Sequence, residues 1–143
     1  MERGSYEEID HTADLGLDLR GPDPAAVLEA ARRGLLRVLM GEEPDGEPEE
    51  ERRVELSEPT RPDLLKAWCE WIYRLLEEER FVALGSEFES TEPERFRARL
   101  EGVVLPADRV ASASELKAVT YHQLSFEREE EGGGWRARVI FDV

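Results

Sequence analysis

A chain of 143 residues with 34 Asp and Glu against 19 Lys and Arg has a formal charge of −15. That length suits one domain with a core of its own, and so acidic a chain is a poor stand-alone binder of RNA or DNA, which is held by neutralising its phosphates. The one cysteine, Cys69, excludes an internal disulfide, and neither a signal-like N-terminus nor a window of roughly 20 apolar residues occurs, so a single cytoplasmic domain over 1–143 with no membrane role is expected.

In chain order, the first element is a strand ending in DHTAD (10–14), and LGLDLRG follows with Leu15, Leu17 and Leu19 alternating against polar or small residues. A helix is predicted next. Asp23 suits its N-cap, Pro24 its first turn and Gly41 the left-handed position after its end. Val27, Ala31, Leu35, Val38 and Leu39 form one apolar stripe along it. The acidic run 41–51 reads as a solvated linker and RRVELSEP as a strand.

A second helix opens at TRPDLL, where Thr60 and Asp63 approximate a capping box around Pro62. Leu64, Leu65, Trp68, Cys69, Ile72, Leu75 and Leu76 make its buried face; Lys66, Glu70, Arg74 and Glu77 face water, and Trp71 falls at the edge. Two strands follow, FVALGSEFES and RFRARLEG, the latter with Phe96, Ala98 and Leu100 on one face and charges on the other. KAVTYHQLSFERE reads as one continuous strand. On that register His122 points to the core side with Thr120, Leu124 and Phe126, while Val119 and Tyr121 point away. A Gly-rich hairpin then leads to WRARVIFDV. The order ββαβαββββ predicts an α+β, two-layer sandwich, a mostly antiparallel sheet with two helices packed on one face.

The chain has no glycine-rich nucleotide loop, no CxxC and no HExxH, and one Cys with two His cannot complete the usual four-ligand zinc site. The serines of ASASEL have no base beside them that would mark a nucleophile. What remains is a set of carboxylates at strand ends. Asp10, His11 and Asp14 lie together, His122 sits in the long strand, and Asp142 is followed by the terminal carboxylate of Val143. Asp14, Asp142 and Val143 would make an all-oxygen site for a hard cation. Turn chemistry is the other reading, with Asp10 or Asp14 capping a backbone amide and His11 bonded locally. Composition and spacing leave the two side by side.

Four stretches bear on that choice: YEEIDHTADLGL at the start, DLL opening the second helix, ELKAVTYHQL, and the terminal VIFDV. With them the sequence resembles the archease family along essentially its whole length. The resemblance implies an accessory protein, not itself an enzyme, that activates the RtcB-type tRNA-splicing ligase, the Mn2+- and GTP-dependent enzyme that rejoins split tRNA exons. It implies promotion of the ligase's guanylylation and multiple turnover, with tRNA met only through the ligase. The family's metal ligands fall on Asp14, Asp142 and Val143. They would hold a divalent cation, Ca2+ ahead of Mg2+ or Mn2+, with His11 and Thr12 behind them. Asp10, Lys117 and His122 are further neighbours or partner contacts. Two other readings stand beside it: a metal-dependent hydrolase or nuclease built on Asp14, Asp142 and His122, and a general protein-interaction chaperone.

Overall fold

Strand β1 (Ser5–His11) turns back as β2 (Asp14–Gly21), and helix α1 (Pro24–Met40) follows. The structure is a computed structural model describing residues 3–11, 14–111 and 113–143, without the side chains of Asp10, His11 and Asp14. Helix α1 begins and ends as its caps dictate: Asp23 accepts from the Ala26 amide at 2.8 Å, and Gly41 closes the helix at φ 83°. Strand β3 (Glu50–Ser57) leads to α2 (Arg61–Glu79), capped by Thr60, which accepts from the Asp63 amide at 3.2 Å. Strands β4 (Phe81–Glu92) and β5 (Arg95–Val104), a short helix α3 (Ala107–Ala111), β6 (Ala118–Val119), β7 (Ser125–Arg128) and β8 (Trp135–Asp142) complete the described elements.

The α+β class and the antiparallel pairing are as expected, and the strands divide between two sheets. One runs β1-β2-β8-β6 with β7 also on β8, and the other runs β3-β5-β4. Helices α1 and α2 touch each other and strands of both sheets, so the two layers share one core. Leu17 and Leu19 of β2 and Ala137, Val139 and Phe141 of β8 are buried on the inner face of the first sheet. Phe96, Ala98 and Leu100 do the same for the second. Trp68 lies between the layers, with ring centroids 5.3 Å from Phe88 and 5.4 Å from Phe96, and its indole N–H donates to the Leu28 carbonyl at 2.8 Å. Each large side chain buried this way contributes roughly 1.5–3 kcal/mol.

The single stripe predicted for α1 is too narrow. Leu28, Ala30, Leu36 and even Arg32 and Arg33 are buried with it, because the helix is covered from both sheets. Arg32 is satisfied where it lies: it pairs with Glu29 and donates to the Ala83 carbonyl at 2.5 Å, covering part of β4, an edge strand. Gly34 has a packing reason. A Cβ there would sit 2.9 Å from Tyr6 Cγ and 3.0 Å from Leu17 Cδ1, so a helix residue costing about 1 kcal/mol relative to Ala is what lets α1 approach the sheet.

Three further expectations need correction. The acidic run 41–51 is not all linker, since β3 begins at Glu50, and Glu43 accepts from the Tyr6 hydroxyl at 2.8 Å. Helix α3 has no apolar periodicity that would have announced it, and none of its residues is buried. KAVTYHQLSFERE is not one strand. It breaks between β6 and β7, and Val119 is buried whereas Tyr121 and His122 are both exposed, the reverse of the parity predicted for Val119 and His122. Among the described residues no helix is long and apolar enough to cross a membrane.

Candidate metal centre

The ladder between β2 and β8 organises this end of the molecule. Its register opposes Asp18 to Arg138, Arg20 to Arg136, and Asp14 to Asp142. Directly opposed residues of an antiparallel pair have Cα atoms about 4.5–5.5 Å apart, so charges on them interact strongly. Asp18 and Arg138 form a bidentate ion pair, at 2.7 Å from Nε to Oδ1 and 3.0 Å from Nη2 to Oδ2. The bond to Asp18 holds the Arg138 guanidinium protonated above its usual range.

Arg20 and Arg136 are like charges on one rung, and the protein relieves them with its own carboxylates. Glu129 pairs with Arg20 at 3.0 Å and Glu127 with Arg136 at 3.2 Å. Asp14 and Asp142 are also like charges on one rung. Among the described residues the half-buried Asp142 carboxylate enters no ion pair.

Backbone pairing draws the other sequence-predicted residues to the same end. His11 is the register partner of Asp14, and Asp10 that of Leu15. Asp142 pairs on its other side with Ala118, and its carbonyl accepts from the Lys117 amide at 2.8 Å. Lys117 is exposed, as is Val143. Thr12 lies outside the described residues, as do the side chains of Asp10, His11 and Asp14. Among the described residues no three His, Cys, Asp or Glu side chains form a metal-sized group. Asp14 and Asp142, opposed on one rung, are residues with oxygen donors, the donor type that a hard cation takes.

His122 is the member that the fold places differently from the expectation. It stands exposed in the segment between β6 and β7, where its amide donates to Thr120 Oγ1 at 3.2 Å and its Nε2 lies 3.5 Å from Gln123 Nε2. Sequence reasoning passed over Tyr121 beside it, which is 70% exposed. The signal available was four consecutive polar or amphipathic residues, Thr120 to Gln123, which alternation absorbs without complaint. The buried thiol of Cys69 is pushed up well beyond the usual range by desolvation, so it has no nucleophilic role near neutral pH.

A family model described as the Archease protein family matches residues 6–143. Proteins named archease from Methanosarcina mazei and Methanopyrus kandleri are each 32% identical over 143 residues, covering 96% of this chain and 95% and 99% of theirs. The solution structure of Methanobacterium thermoautotrophicum protein 1598 superposes with a TM-score of 0.70 at 29% identity, covering 97% of this chain and 99% of that one. A Thermotoga maritima crystal structure described as an archease and possible chaperone is similar in fold, with a TM-score of 0.62 at 24% identity and 96% of each chain covered.

Proposed function

The chain belongs to the archease family, and on that premise we propose that it is an accessory protein activating an RtcB-type tRNA-splicing ligase through a cation held by Asp14, Asp142 and the terminal carboxylate of Val143. The observation that supports this reading is the Asp14–Asp142 rung. Opposed like charges destabilise a strand pair, and Asp142, the described carboxylate of this rung, enters no ion pair with the described residues. A divalent cation relieves that opposition when bound, and it supplies a positive centre that a partner's acidic or phosphate groups can share. Ca2+ fits an all-oxygen set best, while Mg2+ and Mn2+ are compatible with the same donors.

The chain's own residues have distinct tasks in this reading. Asp14 and Asp142 are presented by paired strands, so their backbones are held without an ordering cost at the moment of contact. The Lys117 amide fixes the end of β8 by its bond to the Asp142 carbonyl, and its exposed side chain is open to a partner's acidic group. Asp10 and His11, at the end of β1, and Thr12 support the ligand set in this reading. His122 is a partner contact, since its exposure gives it no core to complete. A charge of −15 speeds encounter with an RNA ligase whose substrate channel is basic, and it keeps the accessory protein from competing for tRNA, which it meets only through the ligase.

The test is joining of a split tRNA by the cognate ligase under single- and multiple-turnover conditions, with and without this protein. Guanylylation and turnover should rise at substoichiometric amounts, and the protein alone should neither ligate nor hydrolyse RNA or nucleotides. Unchanged guanylylation and turnover would refute the assignment. Hydrolysis by the purified protein would instead favour a metal-dependent hydrolase using Asp14, Asp142 and His122.

A further inference from the structure

Strands β6 and β7 both pair with β8, and the segment between them does not match its length. Val119 opposes Phe141 and Ser125 opposes Arg138, so five residues, 120–124, face only Val139 and Ile140. Three residues are therefore lifted out of the sheet. They are held in a fixed shape. Thr120 donates to the Ile140 carbonyl through its amide at 2.9 Å and through its hydroxyl at 3.0 Å. The Leu124 amide donates to the Tyr121 carbonyl at 3.2 Å, closing a turn. Gln123 takes the left-handed conformation at φ 53°, and its side-chain oxygen accepts from Arg138 Nη1 at 2.8 Å. Ile140, which by parity points away from Val139 and Phe141, is nevertheless 1% exposed. On that face Gly16 lies alongside it, where an added Cβ would be 3.3 Å from Ile140 Cγ1.

Tyr121 rides on this scaffold. At 70% exposure it is the most exposed large hydrophobic side chain among the described residues, ahead of Val143 at 38% and Val104 at 37%. One ring face is steadied by the Lys66 ammonium, 4.7 Å from the centroid, and Lys66 is itself paired with Glu70 at 3.2 Å. Holding a solvent-exposed phenol on an insertion with this many backbone anchors brings the fold no burial. It does match what interface hot spots require, a rigid aromatic with little rotamer entropy left to lose.

We propose that Tyr121 is a preorganised anchor that inserts into an apolar socket on a protein partner. The inference rests on the proposed function for the partner's identity, the ligase. Continuity supports that choice: Thr120, the residue before the anchor, is bonded to Ile140, two residues from Asp142, so one partner face can engage both the anchor and the carboxylates. Charge supports it too, because a chain of −15 meets a basic surface readily. Single-stranded RNA fits less well, since stacking platforms work within a positively charged groove and the nearest ammonium here, Lys66, is neutralised by Glu70.

The experiment compares full-length native protein with Tyr121→Ala and Tyr121→Phe in direct titrations against the ligase, against Ca2+ and against a short single-stranded RNA, with thermal melting of each. Tyr121→Ala should weaken ligase binding by about thirty-fold, with melting and Ca2+ affinity unchanged. Tyr121→Phe should stay within about three-fold of native, because the ring carries most of the buried area. Native binding by Tyr121→Ala would overturn the anchor while leaving the functional reading intact. Parallel losses of melting temperature and affinity would overturn it in favour of a structural Tyr. Loss confined to RNA binding would replace the protein socket by a base. Native protein that fails to bind the ligase at all would overturn the functional reading, and the anchor with it.

Discussion

Asp18–Arg138 and Asp14–Asp142 are rungs of the same ladder, a few residues apart on the same two strands and with the same parity. One opposes charges of different sign and closes into a bidentate pair within the chain. The other opposes charges of the same sign. Beyond Asp18–Arg138 on the same ladder, Arg20–Arg136 serves as an internal control, since that like-charged rung is neutralised by Glu127 of β7 and by Glu129 just after it. The difference teaches how to sort charges on an acidic protein. Charges neutralised within the chain serve the fold and its solubility, whereas a like-charged pair fixed by register, whose described carboxylate enters no ion pair with the described residues, is the candidate for binding.

The largest effect should come from the Asp14–Asp142 rung. Asp14→Ala or Asp142→Ala should abolish stimulation of ligase guanylylation, while melting in chelator stays level or rises, since removing a like-charge opposition relieves a few tenths of a kcal/mol. A fall of several kcal/mol in stability would place these residues in the fold and break the comparison. Next comes extension of the chain beyond Val143. It replaces a terminal carboxylate by a neutral amide oxygen, so stimulation should fall, by less than for Asp142→Ala, in a concentration series against the ligase. An equal response of extended and native protein would remove Val143 from the ligand set.

Asp18→Ala, which leaves Arg138 bonded to Gln123, should show the opposite signature. The Asp18–Arg138 pair is partly exposed, so its loss should lower stability by about 0.2–1 kcal/mol in urea melts and leave ligase stimulation at the native level. Substantial loss of stimulation would mean that the two rungs are not functionally separate. The smallest effect is a pH response on the neighbouring edge strand. Burial, with the bond to Glu43, raises the Tyr6 pKa above its ordinary value near 10. The fold therefore holds that proton more tightly than the unfolded chain does. Its contribution is complete below about pH 10 and is lost as pH rises through the folded value. Tyr6→Phe should flatten the decline in melting temperature above pH 10. An unaltered alkaline limb would assign that decline elsewhere.

Local physics made much of the fold readable beforehand. Asp23 and Gly41 bracket α1, Thr60 and Asp63 open α2, and the buried face of α2 from Leu64 to Leu76 follows from helical spacing alone. What was not readable depends on which strand meets which. Nothing local says that β3, β4 and β5 leave the other strands to form a second sheet, and it is that second sheet which buries Arg32 and widens the buried surface of α1. The break at 120–124 escaped because alternation counts residues and an insertion of three reverses parity without changing composition. The site divides in the same way. Asp14, Asp142 and Val143 were nameable as oxygen donors from the sequence. That Asp14 and Asp142 oppose each other on one rung is a consequence of register, a tertiary property.

The most direct measurement is a calorimetric titration of Ca2+ into native protein, Asp142→Ala and a C-terminally extended form. The account predicts saturable binding at one site by the native protein, weaker binding by the extended form because the terminal charge is gone, and binding lost in Asp142→Ala. Equal affinities in all three, or no binding to the native protein, would contradict the claim that the Asp14–Asp142 rung exists to hold a cation.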